Sequence, residues 1–205
     1  MKKQRIAALT TALCLALSLA ALPASAADDS TRTETIRALG IMAGDSSGDL
    51  GLNRAVSRAE FVTMMTAAAS YKDTVGSGYG VSLFKDVKSS HWASEYIRLA
   101  AEQNWMTGYT DGTFRPDDTI TYEQMTTILS SVAVWASMSA EELNGKTDIS
   151  LADYQDFSPW AQRPAWIMDQ LGALVGGLQP QDLATRETAA GMLYAMMDSL
   201  HILWQ

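Results

Sequence analysis

Cysteine is almost missing from this chain: its one instance, Cys14, lies inside an N-terminal apolar stretch. That stretch reads MKKQRIAALTTALCLALSLAALPASAADDS, with Lys2, Lys3 and Arg5 ahead of apolar Ile6 to Leu22 and small residues at Ala24-Ser25-Ala26. The three-part pattern is that of a secretory signal peptide, 1–26. Leu13 precedes Cys14 and the apolar run continues past it, so Cys14 does not read as a lipoprotein cysteine and is lost on processing. The remainder then has no thiol, which excludes disulfides, thiolate catalysis and cysteine metal sites. Basic residues are also scarce. After the signal peptide 12 basic residues face 23 acidic ones, a net charge of −11, and such a surface repels nucleic acid and anionic membrane. No later segment is long and apolar enough to span a bilayer.

Histidine is limited to His91 and His201, and no nucleophile–base constellation is recognisable, so no enzyme is expected. Carboxylates abound, yet none forms an evident glycosidase pair. DSSGD (45–49) falls short of the EF-hand pattern, leaving Asp45 and Asp49 as solvated turn residues. Neither a metal nor another cofactor is expected.

What the chain does have is itself, repeated. IMAGDSSGDLGLNRAVSRAEF (41–61) aligns without a gap on WMTGYTDGTFRPDDTITYEQM (105–125), pairing Gly44 with Gly108, Gly48 with Gly112, Leu50 with Phe114 and Ser57 with Thr121. HWASEYIRLAAEQNWMTG (91–108) aligns with PWAQRPAWIMDQLGALVG (159–176), and after a shortened loop LATRETAAGML (183–193) falls on TITYEQMTTIL (119–129). Repeats of this length indicate one supersecondary unit per copy, each too small to bury its own apolar face.

Each copy reads as helix, glycine-containing loop, helix. Trp92 to Asn104 carries apolar residues at helical spacing. Thr121 with Gln124 and Ser57 with Glu60 form capping boxes, and Thr185 caps a helix from Arg186 to about Leu200. The Met-rich faces are expected in a shared core. Gly108 and Gly112 suit positive φ, and Phe114 reads as a plug folding back from the loop. Segments 72–83 and 138–154 read as linkers, the second with a short helical turn from Ser139. The fold class is therefore all-α.

FKDVKSSHWASEYIRLAAEQNWMTGYTDGTFRPDDTITYEQ resembles the S-layer homology module, whose pattern runs F-x-D-V, HWA, G-Y-x-D-G-T-F-x-P and I-T-R-A-E. Copies are assigned to 31–70, shortened at its N-terminus, 84–135 and 155–200. The resemblance implies three modules packed as a pseudo-threefold unit around a central three-helix bundle. It further implies grooves that hold pyruvylated secondary cell-wall polysaccharide, anchoring an exported protein noncovalently at the cell wall or S-layer.

A ketal-pyruvate carboxylate is a group that arginine grips bidentately. Arg58, beside Ser57 and Glu60, and Arg186, beside Thr185, stand at helix N-termini whose backbone donors and dipole favour an anion. Gly44, Gly108, Tyr109 and Asp111 belong to the loops expected as groove walls. Trp92 and Trp160 either offer a sugar a flat face or fill the core, and the residues alone favour the core. The second copy has Tyr122 in place of the motif's arginine, the third has Thr188 in place of its glutamate, and the first has Asp45 and Ser47 where the loop tyrosine and aspartate belong. Two anion-gripping grooves are therefore expected, the second copy being structural. The runner-up is a protein–protein module on the envelope that uses a Met-rich surface and the tail HILWQ (201–205).

Overall fold

The computed structural model describes residues 28–69, 83–137 and 151–200. The signal peptide, the proposed turn at Ser139 and the tail HILWQ lie outside the described residues. Among the described residues there are six α-helices: α1 (Asp29–Ala38), α2 (Arg58–Ala68), α3 (Ser94–Glu102), α4 (Tyr122–Ser137), α5 (Gln162–Gln170) and α6 (Arg186–Ser199), with a 3-10 turn at Ala152–Tyr154. Among the described residues there is no strand, only three isolated antiparallel bridges.

The helix ends follow from local chemistry. Asp28 caps α1 by accepting from Thr31 N at 2.7 Å. Both halves of the Ser57–Glu60 box are present on α2, and Thr121 and Gln124 exchange the same pair of bonds on α4. On α6 the Thr185 hydroxyl accepts from Thr188 N at 3.1 Å. Thr188 has no reach back to the capping backbone, and its hydroxyl lies 3.0 Å from that of Thr185 instead. The helices that open each copy end alike. Gly40, Asn104 and Gly172 adopt positive φ, and Ile41, Trp105 and Ala173 donate back to Ile36, Ala100 and Met168, a left-handed cap satisfying otherwise free carbonyls.

Packing departs from a simple hairpin picture. The principal partner of α3 is α2, that of α5 is α4, and that of α1 is α6. Each opening helix thus lies on the closing helix of the copy before it, and the first copy's α1 lies on the last copy's α6. The closing helix α6 also touches α2 and α4.

All nine described methionines are buried, as are Phe61, Phe114, Ile120, Leu129 and Leu193. The Met-rich faces are core, and no described methionine supplies the exposed patch that the runner-up reading requires. Phe114 is the expected plug, fully buried and packed at 5.2 Å on Phe84.

Candidate functional site at the seams between repeats

Three short segments meet where the copies join. Ser57 bridges Thr119, Thr121 bridges Leu183, and Thr185 bridges Ala55. Each segment is paired to the other two, so the contacts close into a ring. Every seam in the ring is built the same way, from the N-terminus of a closing helix and the loop of the next copy.

At the first seam Arg58 N donates to Asp118 O at 2.8 Å and Ala59 N to Pro116 O at 2.9 Å. The Arg58 side chain, 5% exposed, donates from Nε to Phe114 O at 2.8 Å and from Nη2 to Thr107 O at 3.1 Å. At the third seam Arg186 N donates to Arg54 O and Glu187 N to Leu52 O, both at 3.0 Å. Arg186 Nε donates to Leu50 O at 2.6 Å and Nη2 to Ala43 O at 2.7 Å. Thr107 and Ala43 occupy matching positions in their loops, as do Phe114 and Leu50.

The second seam keeps this architecture without the arginine. Tyr122 N and Glu123 N donate to Asp182 O and Pro180 O at 2.8 and 2.9 Å. The Tyr122 hydroxyl donates to Val175 O at 3.1 Å and accepts from Val175 N at 2.9 Å. Val175 is the counterpart of Thr107 and Ala43, so the phenol reaches the same carbonyl that an arginine holds elsewhere. Glu123, 3% exposed, accepts from Ser158 N and Oγ and from Gln181 Nε2. A buried carboxylate at this seam opposes any anionic ligand.

These bonds revise the expected use of the helix N-termini. The leading amides of α2 and α6 are not open to a ligand, because neighbouring carbonyls and the capping hydroxyls take them. Bidentate grip by Arg58 or Arg186 is also limited, since two nitrogens of each are already bound. The two arginines differ in the third. Arg186 Nη1 lies 3.5 Å from Glu60 Oε1, and Glu60 is shared with Arg54 at 2.6 Å. Arg58 Nη1 has no hydrogen-bond partner, and Arg58 makes no ion pair, among the described residues. Burial pushes its pKa down, against the pull of Tyr109 and Asp118, yet a guanidinium stays charged.

The loop facing Arg58 is held from elsewhere. Asp86, in the F-x-D-V element, accepts from Phe114 N at 2.8 Å and Arg115 N at 2.7 Å. Asp111 accepts from Thr113 N and Oγ1 and pairs with Arg115 at 3.0 Å, bonds that hold its carboxyl well below the usual range. The Arg58 guanidinium lies 5.0 Å from the Tyr109 ring centre and that of Arg115 lies 3.9 Å from it. Sequence reasoning named Arg58, Tyr109 and Asp111 but missed Arg115 and Asp86. The F-x-D-V element was visible as a motif, but nothing in spacing tells that its carboxylate reaches the loop.

Two expectations are corrected. Gly108 is not at positive φ, while Gly112 is. Gly108 is required by space, since a Cβ there would lie 2.6 Å from Thr113 O and would also meet the Phe84 ring. Gly44 is crowded likewise, since a Cβ there would lie 2.6 Å from Gly48 O. Trp92 and Trp160 are not core, being 59% and 53% exposed. Each stands just before its helix, where the following alanine, Ala93 or Ala161, takes the buried position. Trp92 stacks on His91 at 5.7 Å, and His91 Nδ1 accepts from Ala93 N at 3.1 Å.

The acidic turn at Asp45 is satisfied internally by Ser47 and Asp49. No cluster suited to a metal ion occurs among the described residues, and no described helix is long and apolar enough to cross a membrane.

Residues 83–126 match the family model of the S-layer homology domain. The chain is 26% identical over 169 residues to the surface layer protein of Brevibacillus choshinensis, covering 71% of this chain and 15% of that protein. It is 33% identical over 151 residues to an amylopullulanase of Thermoanaerobacterium thermosulfurigenes, covering 71% of this chain and 8% of that protein. With the cellulosome-anchoring protein of Acetivibrio thermocellus identity reaches 51% over 45 residues, 22% of this chain and 10% of that protein. The chain spans only a small part of the length of these relatives, and the surface layer protein and the amylopullulanase each match 71% of it. With the F-x-D-V anchor, the glycine loop and the capped start of the closing helix all inside the matched segment, this chain carries an S-layer homology domain.

Proposed function

We propose that this protein is a noncovalent cell-wall anchor that binds secondary cell-wall polysaccharide at the seam between its first and second repeats. It acts outside the cell, at the wall or S-layer, and contributes binding rather than catalysis. The observation that carries the reading is Arg58: a buried cation, bonded only to neutral carbonyls, with one nitrogen left over. A charge so placed attracts an anion more strongly than one in open solvent. The exposed Trp92 and Trp160 faces suit the apolar side of a sugar ring, and the names of the relatives point to wall and surface-layer proteins.

The third seam, where Glu60 neutralises Arg186, is the weaker anion site in this reading, and the second seam is structural. The closed ring of bridges supports a pseudo-threefold arrangement of copies 31–70, 84–135 and 155–200. The finer assignment is that the bound end group carries ketal pyruvate.

Co-sedimentation with Gram-positive-type sacculi tests both levels. Binding to intact walls, and not to walls stripped of secondary polymer, is the expected result. Mild acid removes ketal pyruvate, so loss of binding to acid-treated walls is expected as well. Equal sedimentation with stripped walls would sink the polysaccharide reading, and equal binding to acid-treated walls would sink only the pyruvate.

A further inference from the structure

Arg58 by itself makes an incomplete carboxylate grip. Its Nε and Nη2 are held by Phe114 O and Thr107 O, which leaves Nη1, whereas strong carboxylate recognition uses two donors side by side.

A second guanidinium stands at the same ring, on a backbone that does not favour it. Arg115 has φ 56, in the left-handed region, where a residue with a side chain is strained and glycine is not. Its counterpart in the first repeat is Gly51, at φ 58. The arginine is kept in that conformation by Asp86, which accepts from the Arg115 amide at 2.7 Å. Its side chain is fixed as well. Nε donates to Thr113 Oγ1 at 3.2 Å, Nη2 donates to Asp111 Oδ2 at 3.0 Å, and the guanidinium lies 3.9 Å from the Tyr109 ring centre. Its Nη1 has no partner among the described residues. Strain retained where an unstrained residue is available in a sister loop points to function.

We propose that Arg115 is a second ligand-contacting, specificity-determining residue of the first seam. Its Nη1 and that of Arg58 together receive the carboxylate of an anionic wall sugar, with Tyr109 beneath both guanidinium groups. The inference rests on the wall-binding reading above. It explains why this seam would prefer a carboxylate end group over a neutral sugar, and why the first repeat's own loop, with Gly51, would not.

Wild type, Arg115→Gly and Arg115→Lys are compared by co-sedimentation with intact and polymer-stripped sacculi and by thermal melting. Arg115→Gly is expected to melt within about 3 °C of wild type, glycine suiting the position as Gly51 does. Its polymer-dependent affinity is expected to fall about tenfold or more. Arg115→Lys keeps the charge without the planar fork and is expected to fall between the two. Undiminished affinity in Arg115→Gly overturns the inference, and so does a loss of affinity accompanied by a large drop in melting temperature, which would make Arg115 structural. If wild type fails to bind any polymer-bearing wall, the wall reading falls and takes this inference with it. If wild type binds and the glycine variant binds equally, only Arg115 is dismissed.

Discussion

At the scale of single residues, the loops are set by what fits rather than by turn propensity. Gly108 and Gly176 hold matching positions, yet a Cβ at Gly108 would collide with Thr113 O and Phe84, while one at Gly176 meets nothing within 4 Å. Gly108→Ala should therefore destabilise by about 1–3 kcal/mol, as overpacking does, and Gly176→Ala should stay within about 0.5 kcal/mol of wild type. Urea unfolding of the two variants reads the difference directly, and equal midpoints would refute the account of Gly108. Tyr122 gives a second test at this scale. Removing its hydroxyl leaves both Val175 N and Val175 O without the partner they share. Tyr122→Phe should cost about 1–3 kcal/mol, the usual result of stranding polar groups at a closed seam.

At the scale of elements, each closing helix does two jobs with one turn. Its cap fixes where it starts, and the residue after the cap fastens the loop of the next copy. Ser57→Ala removes one half of the α2 box and should cost about 1 kcal/mol. Arg58→Ala removes the loop fastening instead, leaving the buried Phe114 O and the part-buried Thr107 O without their donors. It should cost about 2–4 kcal/mol, more than the cap. Paired chemical-denaturation curves decide the order; a larger loss for Ser57→Ala would mean that the loop closes without Arg58.

At the scale of the whole molecule, the first and last copies are joined by the Arg54–Glu60–Arg186 cluster and by the packing of α1 on α6. Glu60 feels burial, which raises its pKa, but the Arg54 hydrogen bond, the Ser57 amide and the charges of Arg54 and Arg186 outweigh it and bring the value to about 2. A depressed folded-state value means stability that is present above the unfolded pKa, near 4.5, and lost as pH falls toward 2. Because Arg54 is more than half exposed, solvent screening reduces the linked loss to on the order of 1–2 kcal/mol. A melting series from pH 6 to pH 2 should show a steeper acid limb for wild type than for Glu60→Gln; parallel limbs would remove Glu60 as the cause.

The sequence by itself determined the all-α class, the capping boxes and the burial of the Met-rich faces, because these depend on periodicity and on contacts between residues three or four apart. Phe114 as a plug was legible for the same local reason. The exposure of Trp92 and Trp160 was not, since a tryptophan before a helix can turn inward or outward, and here Ala93 and Ala161 take the inward position. The difference between Arg58 and Arg186 was equally hidden: both follow a cap residue, and both bind two carbonyls of the next loop. Only the closing of the ring brings Glu60 against Arg186 and leaves Arg58 beside Tyr109 and Arg115, because charges distant in sequence meet through tertiary packing.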